Sequence, residues 1–343
     1  MGNRFVERGL SAPVNVTWEV TYECNLRCLH CLSDSGPKQP GELSTDQGFR
    51  IIDQLAGLKV FQLNIGGGEP FLRPDFLDLM EYAHQKGMVT CISTNGTLID
   101  EETARRLDHP LVYIQVSLDG ATASTNDAIR GRGSFQRAIK ALECLRRRRI
   151  EVSVNTVLTR ASFPELDELV ILAAAYGSKL RVSRFRPSGR GKRSWSRLNV
   201  TPEQMADFSL WLGRHLAVST GDSFFSVTSA ERRSLGLNMC GAGKLTCCLS
   251  PQGEVYPCAF LQEPEFQAGK LPEGNFGSLW DEAPVFRSLR ELEIKSCECC
   301  YRFDLCHGGC PAVAYHTQRR LGWPDPGCLV NCVQRNPRMT GTG

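Results

Sequence analysis

Val14, Val16, Trp18 and Val20 alternate with Asn15, Thr17 and Glu19. That two-residue period predicts a strand with one apolar face. Similar short apolar or alternating runs at residues 60–65, 88–93, 111–117, 151–157 and 180–185 predict five more strands. Helical patterns separate them: from a cap at Ser44 or Thr45 to about Gly57, then over 74–86, 100–107, 135–148 and 164–176. Six strand–helix units in succession predict a parallel sheet with its helices outside. In such α/β folds the chemistry lies beyond the C-terminal strand ends. Six units are too few for a closed eight-stranded barrel, so the fold class is a partial, open (β/α)6 barrel, whose open side would suit a large substrate. Residues 1–13 read as a lead-in, 14–190 as the barrel, and 191–235 as a linker and bridging helix. Residues 188–199 (SGRGKRSWSRLN) form the basic linker, and a helix runs from Thr201 to about Val218. Residues 236–332 are loop-rich and cysteine-rich, and 333–343 form a flexible tail.

Composition adds one anomaly. Apolar content of 41% in 343 residues can bury a sizeable core, and a net charge of +3 does not point to nucleic acid. No apolar run reaches the roughly 18–20 residues of a membrane span. The N-terminus lacks a signal-peptide apolar region, so no membrane partner and a cytoplasmic location are expected. The anomaly is sixteen cysteines, eleven of them after position 239. In a reducing compartment clustered cysteines more often bind metal than form disulfides. Cys91 and Cys144 stand alone in apolar stretches and read as core thiols.

Cys24, Cys28 and Cys31 follow the first strand at the spacing C-x3-C-x2-C. Three thiolates this close can hold three irons of a [4Fe–4S] cluster, leaving the fourth iron open to an exogenous ligand. A zinc site would need a fourth ligand, and His30 is badly placed as the neighbour of Cys31. A disulfide would leave one cysteine over. After the second strand comes Gly66-Gly67-Gly68-Glu69-Pro70. Its glycines permit close backbone approach to a ligand, and the Glu69 carboxylate could hold an ammonium. Alternatively the turn is structural, with Glu69 favoured near a helix start. Thr94-Asn95-Gly96 and Leu118-Asp119-Gly120 are ordinary turn sequences in their own right. The run Arg146–Arg149 complements a helix C-terminus and is no nucleic-acid signature. Toward the C-terminus Cys240 and Cys258 flank Gly253, and Cys297, Cys300, Cys306 and Cys310 follow at C-x2-C-x5-C-x3-C before Cys328. A pair of zinc ribbons has suitable ligands, though the interleaved spacing favours clusters.

The three-cysteine loop and GGGEP together resemble the radical S-adenosylmethionine (SAM) superfamily, and the C-terminal spacing resembles the SPASM extension of its peptide-modifying members. Longer stretches, among them WEVTYECNLRCLHC, VSLDGATASTNDAIRGRGSF, FRPSGRG, TGDSFF and LNMCGAGKLTC, resemble the mycofactocin radical SAM maturase family over residues 9–330. The pyrroloquinoline-quinone peptide and sulfatase maturases share the cysteine framework but not RPSGRG or GDSFF. The resemblance implies SAM bound at the open iron of a Cys24/Cys28/Cys31 cluster, with Gly67, Gly68, Glu69 and Pro70 at its amino group. Ser93, Asn95, Ser117 and Asp119 would line the SAM and substrate pocket, Asn155 is a further candidate, and Arg184 or Arg186 would pair with the SAM carboxylate. Two auxiliary [4Fe–4S] clusters are implied. The first would use Cys240, Cys247, Cys258 and Cys310, with Cys248 a substitute for Cys247. The second would use Cys297, Cys300, Cys306 and Cys328, with Cys332 a substitute for Cys328 and Cys299 spare. The implied reaction is oxidative decarboxylation of the C-terminal Tyr of a small ribosomal precursor peptide, followed by lactam closure onto the penultimate Val. Other implied partners are a one-electron reductant of flavodoxin or ferredoxin type and a separate leader-binding chaperone, because about thirteen residues before the first strand are too few for a fused leader-binding module.

Overall fold

The computed structural model describes residues 10–220, 240–298, 300–301 and 303–328. Cys299, Cys332, residues 221–225 of the TGDSFF stretch and the tail at 333–343 lie outside the described residues. Six strands come first: β1 (Asn15–Thr21), β2 (Gln62–Gly67), β3 (Val89–Thr94), β4 (Val112–Ser117), β5 (Val152–Leu158) and β6 (Lys179–Arg184). Each pairs in parallel with the next. The crossovers carry α1 (Thr45–Gly57), α2 (Phe76–Gln85), α3 (Glu101–Arg106), α4 (Ala123–Arg130), α5 (Ser134–Arg147) and α6 (Leu166–Ala175). Ser44 is the cap of α1, closing a capping box with Gln47.

The alternation in the sequence gives the sheet two different faces. Val16, Trp18, Val20, Leu63, Ile65, Ile92, Ile114, Val116, Val154 and Val182 are buried in the main core, against the helices. Full burial of each such side chain stabilises by about 1.5–3 kcal/mol. Polar side chains on the other face hydrogen-bond across strands: Asn64 Nδ2 to Asn15 Oδ1 (3.2 Å), Arg181 Nη1 to Asn155 Oδ1 (2.9 Å) and Ser183 Oγ to Asn155 Oδ1 (2.8 Å). A parallel sheet packed by helices on both faces would read as continuous apolar runs. Here the second face is the polar wall of a partial barrel.

Three features depart from expectation. The stretch between Gly120 and Phe135 contains α4. The basic linker contains a helix, α7 (Gly191–Leu198), which α8 (Pro202–Arg214) follows. The cysteine-rich segment also joins the barrel sheet directly. Its first strand, β7 (Thr246–Leu249), lies parallel to β1, and β8 (Glu254–Tyr256) and β9 (Gly269–Lys270) add antiparallel strands. The result is one nine-stranded sheet in the order β6-β5-β4-β3-β2-β1-β7-β8-β9. The β1 edge of the open barrel is therefore covered by this chain. Shorter helices, α9 (Phe276–Glu282), α10 (Pro284–Arg290), α11 (Phe303–Cys306) and α12 (Pro311–Gln318), complete the C-terminal part. Among the described residues no helix is long and apolar enough to cross a membrane.

Candidate active site

The loop after β1 is closed into a ring by its own backbone. Cys24 N donates to Gly36 O (2.7 Å) and Gly36 N to Tyr22 O (3.0 Å). The turn after β2 is bonded to that loop: Gly68 N donates to Thr21 O (2.7 Å) and Glu69 N to Glu23 O (2.8 Å). Gly68 is required there, because a Cβ would stand 2.0 Å from Glu23 O. The two motifs that lie 36 residues apart in sequence, at Cys31 and Gly67, are thus one structural unit at the C-terminal end of the sheet.

Cys24, Cys28 and Cys31 are half-buried free thiols within electrostatic reach of one another. Burial, with Cys28, Glu69 and Cys31 nearby, pushes the Cys24 thiol up to about 11. A thiol raised in this way stays protonated until a metal displaces the proton, so cluster loading there releases a proton. Among the described residues no three His, Cys, Asp or Glu side chains converge as the ligands of a single ion would. A cubane presents four irons at separate corners, which suits more widely spread thiolates.

Glu69 is fully buried, and its carboxylate accepts from Thr94 Oγ1 (2.7 Å), Asn95 N (2.8 Å) and Phe71 N (3.5 Å). Burial holds its pKa at about 7 against these bonds. It caps the short 3-10 turn Pro70–Leu72, so the structural role considered for it is present; a bond to an ammonium would add to this set. Asn95 Nδ2 reaches Asn25 Oδ1 (2.9 Å) beside Cys24 Sγ (4.0 Å). Ser93 is exposed at the end of β3, and Ser117 is half-buried at the end of β4.

Two expected ligands of SAM are engaged elsewhere. Asp119 is fully buried; it is bonded to His30 Nε2 (2.5 Å), accepts from Val157 N (2.8 Å) and forms an ion pair with Arg130, whose Nε lies at 2.6 Å. Burial opposes its charge, but Arg130 and His30 hold its carboxyl well below the usual range. It is an internal brace between the cysteine loop, α4 and β5, and not an open pocket wall. Arg184 is likewise buried, with both terminal nitrogens on the Asp325 carboxylate. That carboxylate also accepts from Cys310 N (3.0 Å) and Gly327 N (2.8 Å). Arg184, one of the two arginines expected at the SAM carboxylate, therefore clamps the cysteine-rich segment through Asp325. Arg186 stacks on Phe260 at 4.3 Å. Asn155 is held by Arg181 and Ser183 within the polar wall.

The C-terminal cysteines form two groups. Cys240, Cys258 and Cys310 influence one another, and burial with these neighbours pushes Cys240 up to about 12. Cys297, Cys300, Cys306 and Cys328 form the second group, with Cys297 pushed up to about 11 by burial and its three companions. Cys247 does not join the first group. Successive strand residues face opposite ways, so Cys247 packs in the main core while Cys248 packs with Cys258 and Cys310. Of the expected ligand Cys247 and its substitute Cys248, it is Cys248 that lies on the face of Cys258 and Cys310.

Sequence reasoning missed two sets of residues. One is the start of α7, which takes up carbonyl oxygens of the cysteine loop: Arg190 Nη1 to Cys28 O (3.0 Å), Gly191 N to Cys31 O (3.1 Å) and Ser194 Oγ to Leu29 O (2.6 Å). The other is a buried network between β1 and the loop after Cys258. Gln262 Nε2 donates to Glu19 Oε2 (2.7 Å), and Tyr22 OH donates to Gln262 Oε1 (2.9 Å). The lone acidic Glu19 in an apolar strand was its only sequence signal. A separate cavity of about 420 Å³, lined by Phe61, Gln62, Tyr113, Glu151 and Lys179 among others, opens at the opposite, N-terminal ends of the strands.

Residues 18–170 match the radical SAM superfamily, and residues 240–301 match SPASM, an iron–sulfur cluster-binding domain. The chain is 46% identical over 330 residues to Mycofactocin maturase MftC of Mycobacterium tuberculosis strain H37Rv, covering 94% of this chain and 84% of that protein. It is 30% identical over 345 residues to an AdoMet-dependent heme synthase of Methanosarcina barkeri, covering 93% and 97%. Streptococcus suis SuiB bound to S-adenosylmethionine shares the fold with a TM-score of 0.74 at 20% identity, over 94% of this chain and 78% of that one. The anSMEcpe structure with bound AdoMet does so with a TM-score of 0.75 at 19% identity, over 93% and 94%. A cysteine loop stapled to a GGGEP turn, two further cysteine groups, and identity of this extent with a curated maturase lead to one conclusion: the chain belongs to the radical SAM/SPASM enzymes and, among them, to the mycofactocin maturase family.

Proposed function

We propose that this enzyme matures a small ribosomal precursor peptide by oxidative decarboxylation of its C-terminal Tyr, and then closes a lactam onto the penultimate Val. The observation that carries the reading is the bonding of the GGGEP turn to the Cys24/Cys28/Cys31 loop, in a chain 46% identical to mycofactocin maturases. When bound, a [4Fe–4S] cluster would supply the one-electron reductive cleavage of SAM. Cys24, Cys28 and Cys31 would hold that cluster. Gly67, Gly68, Glu69 and Pro70 would meet the SAM amino group, while Ser93, Asn95 and Ser117 flank the pocket. Cys240, Cys248, Cys258 and Cys310 would hold one auxiliary cluster, and Cys297, Cys300, Cys306 and Cys328 the other. The short backbone staples keep the loop and turn in register while SAM and peptide exchange.

The reading includes a cytoplasmic location, a flavodoxin- or ferredoxin-type reductant and a separate leader-binding chaperone. Tight binding of precursor peptide to the enzyme without a third protein would remove the chaperone from it. The principal test is an anaerobic reaction with SAM, reductant and a peptide ending in Val-Tyr, read by mass spectrometry. Loss of CO2 plus two hydrogens is expected. Cleaved SAM with an unmodified C-terminus would overturn the substrate, and no 5′-deoxyadenosine at all would overturn the reaction class.

A further inference from the structure

The segment around the start of α7 fits the cysteine loop closely. Four loop carbonyls are taken up there: Cys28 O and Ser35 O by the Arg190 guanidinium, Cys31 O by Gly191 N, and Leu29 O by Ser194 Oγ. A Cβ at Gly189 would stand 2.3 Å from Leu32 O, and one at Gly191 would stand 3.3 Å from His30 O and 2.9 Å from the Phe185 ring. Arg190 itself is 8% exposed, and its Nε lies 2.8 Å from Asp34 Oδ1 on the same loop.

We infer that Arg190 is a positioning residue for the SAM-binding cluster: it fixes the carbonyls of the loop that carries Cys28 and Cys31, and its buried charge raises the cluster's reduction potential. The inference rests on the reading that Cys24, Cys28 and Cys31 hold this cluster. The physical grounds are general. Hydrogen bonding, net charge and solvent exposure around a cluster set its potential. Reduction adds negative charge, so a fixed cation nearby favours the reduced form. Asp34 moderates this field without cancelling it, because Asp34 is on the solvent side and 37% exposed while the guanidinium is buried. Arginine suits the position because its planar fork reaches two carbonyls and a carboxylate at once, which an ammonium does not reproduce.

The test uses the anaerobically reconstituted holoenzyme and follows the EPR signal that changes on SAM addition. Arg190→Gln is expected to lower the midpoint potential of that signal and leave the SAM-insensitive signals in place. It is also expected to speed loss of that signal to a chelator by at least about fivefold, the factor for each carbonyl hydrogen bond lost. Arg190→Lys is expected to recover the potential but not the chelator resistance. Ser194→Ala removes the bond to Leu29 O and a longer one to Gly191 O (3.3 Å) but leaves the charge of Arg190 in place, so it should speed chelation without moving the potential. Wild-type midpoint and chelation rate in Arg190→Gln would overturn the inference. If that variant does not fold, a wild-type chelation rate in both Arg190→Lys and Ser194→Ala overturns it equally. A SAM-sensitive signal surviving in Cys28→Ala would instead overturn the cluster assignment, which separates the two failures.

Discussion

Cys247 and Cys248 are chemically identical neighbours whose environments differ only because they sit on a strand. The side chain of Cys247 fills the main core with Val16 and Leu249, and that of Cys248 belongs to a second cluster against which Cys258 and Cys310 pack. Cys248→Ser should therefore lose the iron of one auxiliary cluster, whereas Cys247→Ala should keep its iron and cost only about 1 kcal/mol of packing. Iron and sulfide assays on both variants decide the matter; equal iron loss would refute the assignment. Glu19 gives a second residue-scale prediction. Burial raises its carboxyl to about 7, against the hydrogen bond from Gln262. A carboxyl with a raised native pKa contributes stability that is fully present below its unfolded value and lost as pH rises through the native value. The window is thus about pH 4.5 to 7, and the contribution lost is at most about 3 kcal/mol. Glu69 is raised to about 7 as well, so Glu19→Gln should remove roughly half of the slope. Urea midpoints at pH 5 and pH 8 read it; an unchanged difference between them would show that Glu19 does not titrate there.

Elements whose role is to bury an apolar face were legible in the sequence. β1 was readable because Val16, Trp18 and Val20 must face a core, and α1 because Ser44 and Gln47 satisfy its first N–H groups. α7 was not, because the residues at its start hold the cysteine loop largely through its backbone carbonyls. A carbonyl has no sequence letter, so SGRGKRSW reads as a polar linker until the loop it grips is seen. The same limit explains Arg184, whose partner Asp325 is 141 residues away. The cysteine spacings survived this limit because the ligand atoms are the side chains themselves. GGGEP lay between the two cases: its glycines announced a close approach, but only the fold shows that the approach is to Glu23 O. Gly68→Ala should accordingly push the turn off the cysteine loop and lose the SAM-sensitive cluster signal. Gly57→Ala makes the control, since nothing lies within 4 Å of a Cβ there. Ala in place of Gly is worth about 0.4–1 kcal/mol where the backbone accepts it, so this variant should be neutral or slightly more stable. Iron content and melting temperature of the pair would separate a steric effect from a general intolerance of substitution.

At the scale of the whole molecule the cysteine-rich segment is joined to the barrel at several places, and two of these joins make separate tests. At one end of the barrel sheet, Arg184 of β6 grips Asp325, whose backbone and side chain hold Cys310 and Cys328. Removing one partner of a buried pair costs about 3–5 kcal/mol because the other charge is left uncompensated. Asp325→Asn should lower the melting temperature and weaken iron retention in both auxiliary groups at once, since Asp325 N also bonds Gly308 O between Cys306 and Cys310. At the other end, β7 supplies the neighbour of β1, the strand that leads into Cys24. Without β7, the β1 edge would present unpaired backbone groups, and Val16 would lose its cover from Cys247 and Leu249. An exposed apolar edge strand is a template for aggregation. A chain ending at Ser219 should therefore be insoluble or form oligomers, even though it retains all six strand–helix units and the three cysteines at the front. Size-exclusion chromatography of that truncation, expressed beside the full chain, gives the answer. A soluble monomer that still assembled a SAM-sensitive cluster would show that the barrel folds independently, and that β7 covers its edge without being needed to form it.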